Sequence, residues 1–316
     1  MTNMANASKN KRVAHFLYCP FTGLGLYGGY RGHRWLKNRL KIFWQFVYPS
    51  LANQTSKDFI LWFSWRWEER SNPLVQAFVS DIERSGLNAV HTYSGVCFWD
   101  DKYPDEVAMT RLIDAVHGAM GDLLNVMGEA EEVLMTIQPS DDVYHIAAVE
   151  QIQRFFREHP ETHVYGYDRG YVMDYVNRRL AEWNPKTTPP FYTIRFPRTT
   201  FVDPLKHVKY TGPYKSHEYV KDYLPAVYEP IRGFLVGTHG ENISTIFDHP
   251  YAGHEFLGGN IDYELGRFAL EEVEPLKIRL SIRRWLMRQL PYGWQRKLRY
   301  LLGERFYARL YEWIRS

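Results

Sequence analysis

Only two cysteines, Cys19 and Cys97, occur in 316 residues. Two thiols cannot build a disulfide framework, and these lack the spacing of a zinc site, so the composition points to a reducing compartment. No stretch approaches the roughly 18 apolar residues that a bilayer-spanning helix requires. The opening segment, MTNMANASKNKRVAHFLYC, carries lysines but no apolar run of signal-peptide length. The expectation is a cytoplasmic protein, neither exported by that route nor integral to a membrane. Internal repeats and low-complexity tracts are lacking as well. The glycines match no phosphate loop and no dinucleotide fingerprint, and no nucleic-acid recognition motif is present, so no nucleic-acid partner is expected.

What is there suits a globular enzyme. The chain is 45% hydrophobic and 24% charged, enough for one large domain or two small ones. Aromatic residues reach 16%, with 23 Tyr and 10 Trp; such rings line sugar sites and fill cores equally well. The net charge of +3 is unevenly spread, because residues 277–316 hold eleven Lys and Arg against two acids and the remainder is acidic. A basic tail on an acidic body suggests an anionic surface as partner.

After a lead-in over residues 1–10, short β-like runs alternate with helical patterns, as in a Rossmann-like α/β layer. The strand candidates are Val13–Tyr18, Phe59–Ser64, Ala89–Tyr93 and Val133–Ile137. Between them lie three helical stripes: Leu40, Phe43, Trp44 and Val47; Leu74, Phe78 and Ile82; and Leu112, Val116, Met120, Leu123 and Met127. From about Val164 to Val236 short strands alternate with turn signals at Gly166, Asn184-Pro185 and Pro189-Pro190, which reads as appended hairpins. Two basic amphipathic helices close the chain, the first with Ile278, Ile282, Trp285, Leu286 and Leu290 on one face. Trp beside such stripes and cations suits an anionic membrane surface, so peripheral attachment to the inner face of the cell membrane is expected. The expected division is a catalytic domain over residues 11–262 and a helical C-terminal region over 263–316.

The segment EVLMTIQPSDDVYHIAAVEQIQRFF, residues 132–156, carries the most chemistry. A strand ends at Gln138-Pro139, and a helix is expected after Asp142 with Ile146, Val149, Ile152 and Phe156 inward. Ser140, Asp141 and Asp142 then sit where ligands bind in open α/β sheets, at the carboxyl end of a strand. Paired carboxylates there hold Mg²⁺ or Mn²⁺ together with substrate phosphates. The same residues would equally cap a helix start.

Pro49-Ser50-Leu51-Ala52-Asn53-Gln54-Thr55-Ser56-Lys57-Asp58-Phe59 resembles the SLxNQTxxxF stretch of GT-A glycosyltransferases, which ends their first helix and opens their second strand. Ser140-Asp141-Asp142 falls where such enzymes carry an Asp-x-Asp metal motif, and Gly237-Thr238-His239-Gly240-Glu241-Asn242 is similar to the late HGxN turn of rhamnosyltransferase-like members. The resemblance covers about residues 13–245. It implies a GT-A mixed sheet with helices on both faces, and metal-assisted transfer of a sugar from a nucleotide-diphosphate donor to a glycan or lipid-linked acceptor hydroxyl, as in polysaccharide biosynthesis. It further implies a divalent ion, Mn²⁺ or Mg²⁺, on Asp141 and Asp142 with His239 as a further metal or phosphate contact, and Glu218 or Asp222 as the base of an inverting reaction. Arg31, Arg34 and Arg39 flank a Gly-rich loop and suit diphosphate oxygens, with Ser140 and Asp141 also facing the donor.

Two departures limit the resemblance. Ser64-Trp65-Arg66-Trp67-Glu68-Glu69 stands where many relatives carry a paired-aspartate strand end that contacts the nucleotide, which leaves the donor base open. The Gln-x-x-Arg-Trp motif of processive synthases is absent, which favours single-sugar transfer. A nucleotidyltransferase of similar fold, or a non-catalytic scaffold that binds saccharide or membrane, remains an alternative reading.

Overall fold

The computed structural model describes residues 12–22, 32–95, 105–210, 220–240, 247–248 and 251–278. Glu218, Arg31 and the basic tail beyond Ile278 lie outside the described residues. Among the described residues no helix is long and apolar enough to cross a membrane.

Four parallel strands form the first half of the sheet: β1 (Val13–Pro20), β2 (Ile60–Arg66), β3 (Ala89–Gly95) and β4 (Glu132–Ile137), in spatial order β3-β2-β1-β4. β1 is buried on both faces, as the central strand of such a layer must be. Its side chains alternate between two cores. Leu17 and Cys19 face one, and Ala14, Phe16 and Tyr18 face the other.

Helices cover both faces. α1 (Gly32–Ile42) runs through a π turn (Phe43–Val47) into α2 (Tyr48–Ala52), and α3 (Pro73–Ser85) follows β2; these pack with Leu17 and Cys19. α4 (Asp105–Met127) packs on the opposite face, where Leu112, Val116, Met120, Leu123 and Met127 are all buried as their spacing indicates. The connections from β1 to β3 move one way along the sheet, and the one through α4 returns to the far side of β1. The order therefore reverses between β1 and β4, and the carboxyl ends at such a switch point are where open α/β sheets bind ligands.

The expected Leu40, Phe43, Trp44 and Val47 stripe is partly displaced, since Phe46 is buried and Trp44 is only half-buried. The π turn inserts a residue into the helical repeat and shifts its phase.

The second half of the sheet is mostly antiparallel. After β5 (Val143–Tyr144) and α5 (Ala148–Glu158) come β6 (Val164–Asp174), β7 (Arg179–Trp183) and β8 (Tyr192–Pro197), with β8 joining β6 to β4. The short helices α6 (Arg198–Phe201), α7 (Pro204–Lys209) and α8 (Val220–Tyr223) lead into β9 (Ala226–Thr238), which runs parallel to β6. β10 (Ala252–Glu255) extends the edge beside β7, and α9 (Gly259–Gly266) follows. Gly166 marks no turn. It lies within β6, where an added Cβ would sit 2.8 Å from Phe191 O and from the Tyr228 ring.

The expected boundary at residue 262 falls inside α9. Leu265, Phe268, Leu270 and Leu276 beyond it are buried in the same core as β1 and α1, and Ile278, assigned from sequence to an amphipathic tail, packs against that core. Lys41 Nζ and Gln45 Nε2 of the first helical run donate to the carbonyls of Lys277 and Glu274, tying this segment down.

Candidate functional site

The acidic run at the end of β4 is shaped by its neighbours on both sides. Gln138 N–H still donates to Tyr18 O, extending the β1 ladder past the strand end. The Gln138 side chain then donates to the carbonyls of Pro139 and Asp142, 2.9 Å each, and closes the loop on itself. Immediately afterwards β5 pairs antiparallel with Phe234 and Leu235 of β9. No helix begins after Asp142, because these two residues are drawn into the sheet. α5 starts at Ala148, so neither aspartate caps it, and Ala147 at its start provides no side-chain cap.

The cap comes from elsewhere in the chain. Gln54 Oε1 accepts from Val149 N–H in the first turn of α5, while Gln54 Nε2 donates to the carbonyls of Ser50 and His145. Ser50 Oγ donates to Tyr144 O, Thr55 Oγ1 to Glu150, and Ser56 Oγ to Gln153. The Ser-Leu-Ala-Asn-Gln-Thr-Ser stretch thus clamps the chain that leaves the acidic loop and supplies a side-chain acceptor to an otherwise uncapped helix start.

Asp141 and Asp142 face different surroundings. The Asp141 carboxylate forms an ion pair with the Arg39 guanidinium and accepts a hydrogen bond from His239 Nε2 at 3.0 Å through the same oxygen. Arg39 and His239 are 1% and 0% exposed, so this triad lies inside the protein. Burial alone would push the Asp141 carboxyl up, but Arg39 and His239 more than offset it and hold the group well below the usual carboxylate range. The charge is present and internally neutralised.

Among the described residues Asp142 has no ion-pair partner. Its Oδ1 accepts from Gly237 N–H at 2.9 Å, and burial together with the adjacent Asp141 charge raises its carboxyl well above the usual range. A half-buried carboxyl in that state either keeps a proton or recruits a positive charge.

The floor under the pair is aromatic. Tyr175 OH donates to Asp141 O at 2.9 Å, and its ring stacks on Phe46 with centroids 3.7 Å apart. A Cβ on Gly237 would collide with the Tyr175 ring and with Asp141 O, so only glycine lets β9 pass this close to the acidic loop. Cys19, buried beside the cluster, has its thiol pushed up by burial and by Asp141, which keeps it protonated and unreactive.

The expected ligand set does not assemble. Among the described residues no group of three or more His, Cys, Asp and Glu side chains is arranged to hold a metal ion. Asp141 and His239 are engaged with each other, and the Arg39 guanidinium on the same oxygen would repel a cation. Asp142 is the member whose chemistry fits one, since a divalent ion completes its shell with phosphate oxygens and water around a single carboxylate.

Ser140, expected to face the donor, is buried at this loop. Arg39 is in the cluster but is spent on Asp141 rather than turned to a donor. Arg34 is exposed on the first turn of α1. Asp222 lies on α8, which enters β9 at its amino end, whereas Asp142 meets Gly237 near the carboxyl end. The structure does not bring Asp222 to the acidic pair. Sequence reasoning did not single out Gln138, Tyr175 or the partnership of Arg39 with Asp141; only the glycine of Gly237-Thr238-His239 gave any sign of a close approach.

Fold and site together define a Rossmann-like α/β protein with a carboxylate pair at its topological switch point. No family model matches the sequence, and no curated protein matches it. Among solved structures, the chain is similar to the apo form of mouse xyloside xylosyltransferase 1, at 11% identity and a TM-score of 0.26. That likeness covers 50% of this chain and spans about half, 52%, of the mouse chain. A similarity of this degree carries neither fold nor activity across.

Proposed function

We propose that this protein is a glycosyltransferase that moves a sugar from a nucleoside-diphosphate donor to an acceptor hydroxyl. The observation that carries the reading is the division of labour within the acid pair: Asp141 is neutralised by Arg39, and Asp142, just beyond the carboxyl end of β4 at the switch point, has no ion-pair partner among the described residues. A diphosphate brought to that strand end needs its charge compensated as the bond to the sugar breaks. A divalent ion, Mn²⁺ or Mg²⁺, held by Asp142 would supply that compensation to the leaving diphosphate. Asp141, Arg39, His239 and Tyr175 hold the loop that presents Asp142, and Gly237 N–H fixes one of its oxygens. The resemblance of the Ser50–Phe59 stretch to GT-A enzymes supports the reading, since in this chain the same residues brace the acidic loop.

A panel of nucleotide sugars, offered to the purified protein with Mn²⁺ and with Mg²⁺, tests the reading. Release of free nucleoside diphosphate is expected with one donor. Release of pyrophosphate from a nucleoside triphosphate and a sugar phosphate would instead mark a nucleotidyltransferase, and turnover of neither would leave a binding protein.

A further inference from the structure

β3 ends the sheet on its parallel side, and no strand lies beyond it among the described residues. The register fixes which of its backbone groups face outward. Leu61 N–H donates to Asn88 O and Leu61 pairs with Ala89, so in this parallel ladder Asn88, Val90 and Thr92 turn their groups to β2. The N–H and C=O of Ala89, His91 and Tyr93 point the other way. On that side none of these three residues has a backbone hydrogen-bond partner.

The edge carries none of the devices that blunt one against association. β3 has seven residues with no proline and no charged side chain, and the sequence stays free of both from Leu87 to Trp99. His91 adds no charge either, because burial lowers its imidazole to about 4. The far edge of the same sheet is different: β10 has four residues, a register shift against β7 and the Glu255 carboxylate. Ala89 and Tyr93 pack against one core and Val90 belongs to the other, so the open edge is held in place from both faces.

A second copy of the same strand matches it. Antiparallel strands exchange both hydrogen bonds between residues directly opposite each other in alternate pairs. With a two-fold axis at His91, His91 meets His91 of the second copy, and Ala89 meets Tyr93 in both directions. Every outward N–H and C=O of the strand is then used. Val90 and Thr92 fall opposite each other on the α4 face, a β-branched pair that suits a sheet.

Charge agrees with this register. Arg70, exposed on the 3₁₀ turn Trp67–Ser71, lies within electrostatic reach of the Tyr93 hydroxyl. Placing Tyr93 opposite Ala89 of the second copy carries Arg70 towards the carboxyl end of that copy's α3, where Glu83 and the helix dipole are both negative.

We propose that the protein forms a two-fold dimer in which β3 of each copy pairs antiparallel with β3 of the other about His91, continuing one sheet through both. The acidic pairs then lie on opposite edges of the joined sheet. The dimer goes beyond the transferase reading and does not depend on it.

Sedimentation equilibrium and amide hydrogen exchange on the full chain test it. The unaltered protein should sediment at twice the mass of the chain, and the His91 and Tyr93 amides should be protected in the dimer and exchange faster on dilution. Ala89→Pro removes an outward donor that β2 does not use, so it should remain folded by circular dichroism and sediment as a monomer. Arg70→Glu, a change on the surface, should raise the dimer dissociation constant about tenfold or more; it keeps the test decisive if Ala89→Pro fails to fold. The proposal is overturned if the unaltered protein is monomeric at every concentration, if the His91 and Tyr93 amides exchange as fast in the dimer as on dilution, or if either variant, folded, keeps the unaltered dimer.

Discussion

Arg39 and Asp141, 102 positions apart in the chain, form an ion pair sealed inside the protein, with the His239 imidazole on the same carboxylate oxygen. Removing the cation leaves a buried charge uncompensated. Arg39→Met should therefore destabilise the fold by about 3–5 kcal/mol. The double variant Arg39→Met/Asp141→Asn should recover a large part of that loss. Urea unfolding of the two singles and the double measures the coupling, and a single-variant cost below about 1 kcal/mol would remove Arg39 from this role.

The two aspartates should separate by stability as well as by role. Asp142→Asn keeps an oxygen for Gly237 N–H and relieves the repulsion from Asp141, so its unfolding free energy should stay within about 1 kcal/mol of the unaltered protein. Asp141→Asn leaves Arg39 buried without its counter-charge and should cost several times more. Equal effects from the two changes, read by thermal unfolding, would contradict the distinction.

Gly237→Ala should destabilise by about 1–3 kcal/mol, because the added methyl has no room between Tyr175 and the Asp141 carbonyl. Tyr175→Leu in the same chain should relieve part of the cost. A neutral Gly237→Ala would show that β9 can move away from the acidic loop.

Four histidines whose imidazoles burial lowers to about 4 or below set a pH dependence: His15 and His207 together with His91 and His145, the last two lowered to about 4. Gln153 Nε2 donates to Asp58 O and approaches His15 Nδ1, so His15 accepts there and its Nε2–H donates to Thr136. Burial lowers the His15 imidazole to about 3 and the His207 imidazole to about 4. Below pH 6.5 the unfolded chain takes up protons that the native protein refuses, so stability should fall as the pH drops from 6.5 towards 4. Each histidine contributes a slope of up to about 1.4 kcal/mol per pH unit. Asp142, whose carboxyl is raised, acts in the opposite sense, since the native state holds its proton above the unfolded value near 3.8. Asp142→Asn should thus steepen the fall. Urea unfolding between pH 7 and pH 4.5 measures both curves, and a flat curve for the unaltered protein would refute the assignment.

Much of the parallel half was legible from local pattern. Val13–Tyr18, Phe59–Ser64, Ala89–Tyr93 and Val133–Ile137 fall within two residues of the strands observed, because short β-branched and aromatic runs flanked by polar turns have few competing readings, whether largely buried as in β1, β2 and β4 or half-buried as in the edge strand β3. The α4 stripe was legible for the same reason. The start of α5 was not, since Val143 and Tyr144 are recruited by β9 and the helix takes its cap from Gln54, a contact 95 residues away. The site was half legible. Two acids after a strand mark a place, but only the fold reveals that Arg39 claims one of them and leaves the other.

The most direct test of the account is the rate of nucleoside-diphosphate release by Asp142→Asn against the unaltered protein, measured on the donor that the unaltered protein turns over, across a Mn²⁺ titration. The account predicts that the unaltered rate rises with Mn²⁺ to saturation, and that Asp142→Asn, folded and with the Arg39 and Asp141 pair intact, falls on the order of 100-fold or more at every Mn²⁺ concentration. Full turnover by Asp142→Asn, or turnover indifferent to the metal, would contradict it.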